Sequence, residues 1–288
     1  MHIGKEEFSM AAIIDGKALG EKIRAKVAAE IAESSLKPKL AVVLVGDDAA
    51  SHTYVGMKEK ACRSAGILSA VHRLNIDVTQ AELMALIAEL NSDDSVHGIL
   101  VQLPLPRGLD QMAVFGAVRP EKDVDGFHPV NVGLMNLGLP GALVPCTPAG
   151  VMEMLRSIDY QLKGKHVVVV GRSNVVGKPM STLALLADAT VTTTHRYTEN
   201  LATYTRQADV LIVAVGKVNL VTADMVKPGA VVIDVGTNKV GNKLVGDIDF
   251  AAVKEVASYI TPVPGGVGPM TIALLLKNTL QAAKMQHG

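Results

Sequence analysis

The chain has no tryptophan, four phenylalanines and five tyrosines, so an aromatic ring is a scarce item wherever it stands. Cysteine is scarcer still, with Cys62 and Cys146 the only two. There is no CxxC and no Cys/His cluster, which excludes a zinc ribbon and a disulfide framework and fits a reducing compartment. An excess of charge is also missing. Lys plus Arg number 28 and so do Asp plus Glu, so nothing marks a nucleic-acid binder or a polybasic membrane protein. Any anionic ligand must then be held by local groups. The eight histidines show no ligand spacing, and no metal is expected. No apolar run reaches membrane-span length, and the opening "MHIGKEEFSM" lacks the core of a signal peptide. These absences point to a soluble, cytoplasmic protein with no nucleic-acid or membrane partner. Met10 is the expected start, with residues 1–9 as a leader or an added remnant.

What is present is apolar material for a full core, 49% of 288 residues, enough for one large domain or two ordinary ones. Short β-branched runs alternate with amphipathic stretches, the mark of an α/β fold. In the first half "KLAVVLVG" (39–46), "GILSAVHRLN" (66–75) and "HGILVQLPLP" (97–106) read as strands. Residues 47–66 and 79–91 read as helices, the second opening with a capping box of Thr79 and Glu82 and the first stopped at Gly66. A Gly/Pro-rich loop, "GLPGALVPCTP" (138–148), separates the halves. The rhythm then restarts with strands at 165–173, 189–196, 208–216 and 229–236. A final helix at 269–285 is apolar around most of its circumference, so it must be buried, as it would be by folding back across the first half.

"VVVVGRSNVVGKP" (167–179) runs a buried strand through a glycine turn into a helix. That is the first unit of a dinucleotide fold, where glycines let backbone approach a pyrophosphate at a helix N-terminus. The fit to G-x-G-x-x-G is imperfect, because Ser173 takes the second glycine's place and the last glycine moves to Gly177. A P-loop fits worse: five residues separate Gly171 from Gly177, and Pro179 replaces the hydroxyl that would hold Mg²⁺. The other reading is an ordinary tight strand–helix turn. NAD-preferring sites place an acid at the end of the second strand; here that strand ends in "TTTHRYT", with no carboxylate before Glu199. Arg172 and Arg196 suit a 2′-phosphate instead, which favours NADP, although Arg196 by position alone is equally a solvated loop residue.

In the first half Tyr54 and Lys58 stand at i and i+4, on one helix face. Read alone, the ring packs and the lysine stem lies along it. Two neighbouring features add weight. Gln102 in "VQLPLP" sits at the carboxyl end of a buried strand, where open α/β sheets present ligand groups. Asp123 and Asp125 in "PEKDVDGFHP" precede Gly126, which fits turn chemistry; a paired-carboxylate hydrolase or metal site is possible but lacks other ligands.

"YVGMK", "VQLPLP", "KDVDGF", "GRSNVVGKP" and "TPVPGGVGPMT" occur in the order found in bifunctional methylenetetrahydrofolate dehydrogenase/cyclohydrolases of the FolD type, which the chain resembles over residues 11–285. The resemblance implies a homodimer that oxidises 5,10-methylenetetrahydrofolate with NADP⁺ and hydrolyses the methenyl product to 10-formyltetrahydrofolate. It implies a folate-binding α/β catalytic domain, residues 11–147 with 270–288, and a Rossmann-like NADP-binding domain, residues 148–269. By the same resemblance Tyr54 stacks on the folate, Lys58 is the central catalytic group, Gln102 hydrogen-bonds it, and Asp125 anchors the pterin. Pro264, Gly265 and Gly266 lie at the substrate and near the nicotinamide. Arg172, Ser173 and Arg196 hold the 2′-phosphate side, with Gly171, Gly177, Gly216, Gly236 and Thr237 also at the cofactor. Two alternatives differ in outcome: a monofunctional NAD(P) dehydrogenase of this fold would release the methenyl compound, and a non-catalytic folate or nucleotide-binding module would turn nothing over.

Overall fold

Runs of Val, Ile and Leu become strands where a helix on either side can cover them. In the computed structural model, which describes residues 10–241 and 243–287, the chain opens with β1 (Ala12–Ile13), α1 (Gly16–Ala32), β2 (Lys39–Val45), α2 (Ala49–Ser64), β3 (Leu68–Leu74) and α3 (Gln80–Ser92). It continues through β4 (Gly98–Val101), α4 (Gln111–Ala117), α5 (Pro129–Asn136), α6 (Cys146–Ser157), β5 (His166–Val170), α7 (Gly177–Leu186) and β6 (Thr190–Thr194). The remainder is α8 (Leu201–Thr205), β7 (Val210–Val213), β8 (Val231–Asp234), β9 (Asn238–Val240), β10 (Lys243–Val245), α9 (Phe250–Val253), β11 (Tyr259–Ile260) and α10 (Val267–His287). Residues 1–9, expected to be a leader or an added remnant, lie outside the described residues. No helix among the described residues is long and apolar enough to cross a membrane.

Two compact units share the chain: Gly20–Cys146 with the stretch from Thr271 on, and the stretch up to Leu19 with Thr147–Met270. The first is built on a parallel sheet of order β3-β2-β4. Its centre, β2, is an unbroken apolar run buried from Leu40 to Val45, as a parallel strand covered on both faces requires. Ala41, Val43 and Val45 pack with Leu83, Ile87 and Leu90 of α3. The capping box of α3 forms as expected: Thr79 Oγ1 accepts from Glu82 N at 3.2 Å, and Thr79 N donates to Glu82 Oε2 at 2.9 Å. β4 is shorter than its apolar run. Gln102 N still donates to Val43 O at 2.8 Å, but Pro104 and Pro106 have no N–H to carry the ladder further. The last helix returns to this unit. Asn278 of α10 donates to Val124 O and Val144 O, each at 2.9 Å, and Gln286 donates to His97 O at 2.8 Å.

The second unit carries a six-stranded sheet of order β1-β11-β8-β7-β5-β6, every pair parallel. β5 lies between β6 and β7, so the chain winds outward from it in both directions, the doubly wound pattern. β1 adds an outer strand, Ala12 opposite Tyr259 and Ile13 opposite Ile260. Residues 11–19 therefore cluster with this sheet, whereas the sequence suggested the first domain. Two residues of strand carry no periodicity from which that pairing could be read. Val168, Val170, Leu211, Val213 and Val232 form the core beneath.

Asn278 is a polar contact that ties α10 to the loops before both α5 and α6. Asn278→Ala would leave Val144 O without this donor and Val124 O with only the weak Cys146 thiol, at about 1–3 kcal/mol. A thermal melt should show the midpoint lowered by several degrees, roughly 2–4 °C per kcal/mol for a chain of this size; an unchanged midpoint would mean water replaces the amide.

Candidate active site and cofactor turn

Asp48 caps α2, accepting from Ser51 N at 2.7 Å, and the helix turns Ser51, Val55, Lys58 and Cys62 inward at the three- and four-residue spacing of one face. Lys58 is 8% exposed, unusually low for a lysine. Its Nζ donates to Gln102 Oε1 at 2.9 Å. Gln102 Nε2 in turn donates to Leu103 O at 2.6 Å, which orients the amide with its oxygen toward the lysine. Tyr54, one turn earlier, is half-buried.

The loop carrying Asp125 is fixed from several sides. Ile99 N donates to Lys122 O at 2.7 Å and Ile99 bridges Asp123, so the segment runs alongside β4. Asp123 is buried and accepts from His128 N at 2.8 Å and Asn131 Nδ2 at 2.9 Å; its carboxylate serves the turn. Gly126 has φ +74°, and a Cβ there would lie 2.4 Å from Leu143 O, so no other residue fits. Asp125 is half-buried at the surface of this loop. Burial pushes its carboxyl up to about 6, against the pull of Lys58 and with a push from Asp123. Burial lowers the Lys58 ammonium below the usual lysine range, opposed by Asp125, Cys146 and Cys62. Lys58, Gln102 and Asp125 are thus brought together in one unit.

The turn in the second unit fits a dinucleotide. Gly171 has φ +129° and a Cβ there would lie 2.4 Å from Ala214 O; at Gly177 it would lie 2.2 Å from Gly171 O. Bare backbone is packed on bare backbone, the close approach a pyrophosphate turn needs. Ser173 Oγ accepts from Val176 N at 3.1 Å and Gly177 N at 3.3 Å, bracing the start of α7. Arg172 and Arg196 are exposed and converge on one ring: their guanidinium carbons lie 5.7 and 4.6 Å from the centroid of Tyr197. Gly265 O accepts from Lys17 N at 3.0 Å, and Gly266 is buried where a Cβ would meet Pro262 O at 2.5 Å. Pro264 stands exposed beside them.

Gly216 and Gly236 meet on a residue that the motifs did not single out. Gly216 N donates to Asp247 Oδ2 at 2.9 Å, and a Cβ on Gly236 would sit 2.2 Å from the Asp247 carboxyl carbon. Thr237 follows, exposed. Asp234, at the end of β8, is buried too and its carboxyl is raised to about 6 by that burial. An acid ending a buried strand ("VVID", 231–234) and one set between Gly246 and Ile248 were the available signals.

Comparison with known proteins agrees with this geometry. Residues 14–125 match the tetrahydrofolate dehydrogenase/cyclohydrolase catalytic domain, and residues 145–287 match the NAD(P)-binding domain of the same family. The "Bifunctional protein FolD" of Geobacillus thermodenitrificans is 57% identical over 278 residues, 95% of this chain and 98% of the relative. A crystal structure of the bifunctional FolD dehydrogenase/cyclohydrolase from Campylobacter jejuni is 53% identical, covers 96% of this chain and 99% of its own, and superposes with a TM-score of 0.93. The Trypanosoma brucei dehydrogenase-cyclohydrolase, solved with NADP cofactor and an inhibitor, is 40% identical with the same coverages and a TM-score of 0.93. Matched along both units, the chain belongs to the tetrahydrofolate dehydrogenase/cyclohydrolase family.

Proposed function

We propose that Lys58, held by Gln102 beside Asp125, is the proton acceptor in the second of two reactions on one folate. The chain oxidises 5,10-methylenetetrahydrofolate to 5,10-methenyltetrahydrofolate with NADP⁺ and hydrolyses that product to 10-formyltetrahydrofolate. The observation that supports the assignment is the 2.9 Å bond from a buried lysine to a neutral amide. Bound NADP⁺ supplies the hydride acceptor, and Gly171, Arg172, Ser173, Gly177, Arg196, Gly216, Gly236 and Thr237 are the residues that hold it. Loss of hydride with its electron pair leaves the bridging carbon cationic. Water forms a C–O bond to that carbon as neutral Lys58 Nζ takes one water proton. The resulting hydroxyl then becomes the formyl C=O as one C–N bond of the bridge breaks, and its remaining proton passes to the released nitrogen. Burial already lowers the lysine's proton affinity, and a cationic substrate lowers it further. Tyr54 offers its ring to the flat pterin, and ionised Asp125 accepts from the pterin's N–H groups. The reading extends to a cytoplasmic homodimer serving purine synthesis, supported by the family resemblance and by the exposed Val240 and Leu244 on the β9–β10 hairpin.

Lys58→Met keeps length and loses the base. Cyclohydrolase activity should fall by about 10²–10⁴-fold, the usual worth of a general base, while dehydrogenase activity stays measurable. Methenyltetrahydrofolate would then accumulate. Both rates measured on one variant at one pH decide it, and wild-type hydrolysis would remove the lysine from the chemistry.

The acid side of the pH profile should follow Asp125. Its pKa of about 6 lies above the ordinary carboxylate value, so it is ionised at neutral pH and protonated below. Protonation removes the acceptor for the pterin's N–H groups, so the rate follows the ionised fraction of this one carboxyl. Hydrolysis should decline as pH falls through about 6, by roughly tenfold per unit below it. A rate that stays level across that range would contradict the assignment.

Removing the charge of Arg196, or of Arg172 and Arg196 together, should weaken NADP⁺ by roughly tenfold or more and NAD⁺ far less, since a charge-assisted phosphate contact contributes about 1.5–3 kcal/mol. Equal losses for the two cofactors, measured as dissociation constants, would assign these arginines to the fold or the pyrophosphate.

A further inference from the structure

We infer that Asp247 is a positioning residue for the cofactor: it sets the loop leaving β7, against which the Gly171 turn is packed. The inference rests on reading the Gly171–Gly177 turn as the NADP site. Asp247 is 0% exposed. Its Oδ2 accepts from Val215 N at 2.7 Å and Gly216 N at 2.9 Å, and its Oδ1 accepts from Lys217 N at 2.8 Å and Asn238 Nδ2 at 2.9 Å. Three consecutive backbone amides turned to one centre make a concavity for an anion. Here the anion is internal.

The consequence reaches the cofactor turn through backbone. Ala214 immediately precedes the three amides, and its carbonyl is the atom that a Cβ on Gly171 would meet at 2.4 Å. A loop free to shift at Val215 would move the floor under Gly171. The other end of the brace is equally tight. Asp247 N donates to Asp234 Oδ1 at 3.0 Å, and Asp234 also accepts from Gly236 N at 2.9 Å and Ile248 N at 3.1 Å. The two carboxylates therefore fix the exits of β7 and β8 at the carboxyl edge of the sheet, where open α/β folds take their ligands. With its own carboxylate in the β7 concavity, the chain leaves a dinucleotide phosphate the amides of the Gly171–Gly177 turn.

A brace with no bearing on the cofactor would lower stability and leave cofactor affinity of the folded protein unchanged. The test titrates NADP⁺ into full-length wild type and Asp247→Asn by calorimetry well below their melting temperatures, and follows hydrogen exchange of the amides of residues 215–217. Asp247→Asn keeps the shape but points an N–H at donors. Faster exchange at those amides together with NADP⁺ binding weakened by roughly tenfold or more is expected. A dissociation constant within twofold of wild type overturns the inference, whatever the exchange rate, as does weakened binding without faster exchange. Should Asp247→Asn not fold, Asn238→Ala keeps the carboxylate and removes one of its four donors; binding weakened by roughly threefold is expected there, and an unchanged constant overturns it. Wild type that fails to bind NADP⁺ would overturn the cofactor reading instead.

Discussion

A buried ammonium whose hydrogen-bond acceptor is an amide oxygen is held below the usual lysine range by the loss of water around it. Burial of Lys58 disfavours the charge, the nearby Asp125 favours it, and Gln102 accepts a hydrogen bond without adding a charge of its own. A carboxylate in Gln102's place would pin the lysine as a cation and remove its capacity to accept a proton. Each support of the first unit then matters through this balance. Leu103 O orients the Gln102 amide, the Ile99–Asp123 bridge fixes where Asp125 begins, and Asn278 holds Val124 from the far end of the chain.

The second unit solves the opposite problem. It buries carboxylates, and it satisfies them with backbone amides rather than with lysine or arginine. The cost is visible in linkage. Asp234 in this unit, like Asp125 in the first, is raised to about 6. A carboxyl raised in the folded state contributes stability that is fully present below its unfolded value and lost as pH rises through about 6. At neutral pH both therefore act against folding. Asp48 and Glu82, whose carboxyls are lowered first by backbone hydrogen bonds at helix starts, have the opposite sign: their stabilisation is present above the unfolded value and lost on acidification. The buried acids Asp125 and Asp234 thus have the opposite pH sign to the acids that cap helices.

Local chemistry was legible in the sequence and distant pairing was not. The i, i+4 spacing of Tyr54 and Lys58 places them on one helix face, and the capping box at Thr79 needs only four residues to be recognised. Gln102 was found because a polar residue ending a buried strand is conspicuous. β1 escaped notice because its partner β11 lies at the other end of the chain and each contributes two residues. Asn278 reads as one polar interruption in an apolar helix; only the fold shows the two carbonyls it serves. Asp247 escaped for the same reason, since its donors come from residues 215–217 and 238, and nothing in "VGDID" announces them.

An electroneutral chain has no overall field with which to gather a phosphate, so the attraction must be concentrated at the site. Two exposed guanidiniums on separate loops would each lose freedom when brought together. Here one ring spares part of that loss. Tyr197 is 64% exposed, an expensive place for an aromatic side chain in a protein with nine Phe and Tyr in all, four plus five. Both Arg172 and Arg196 lie against it, and Arg196 Nη2 donates to its hydroxyl at 2.5 Å. A cation held over a ring face stays charged, and Arg196 uses one N–H on the hydroxyl and keeps others for a ligand. On the proposed reading, Tyr197 keeps two positive charges near one point before any phosphate arrives, and Tyr54 offers a flat surface to the pterin. Two of the chain's scarce rings would then stand where charge or planarity has to be held in place, which accounts for an exposed tyrosine that core packing leaves unexplained.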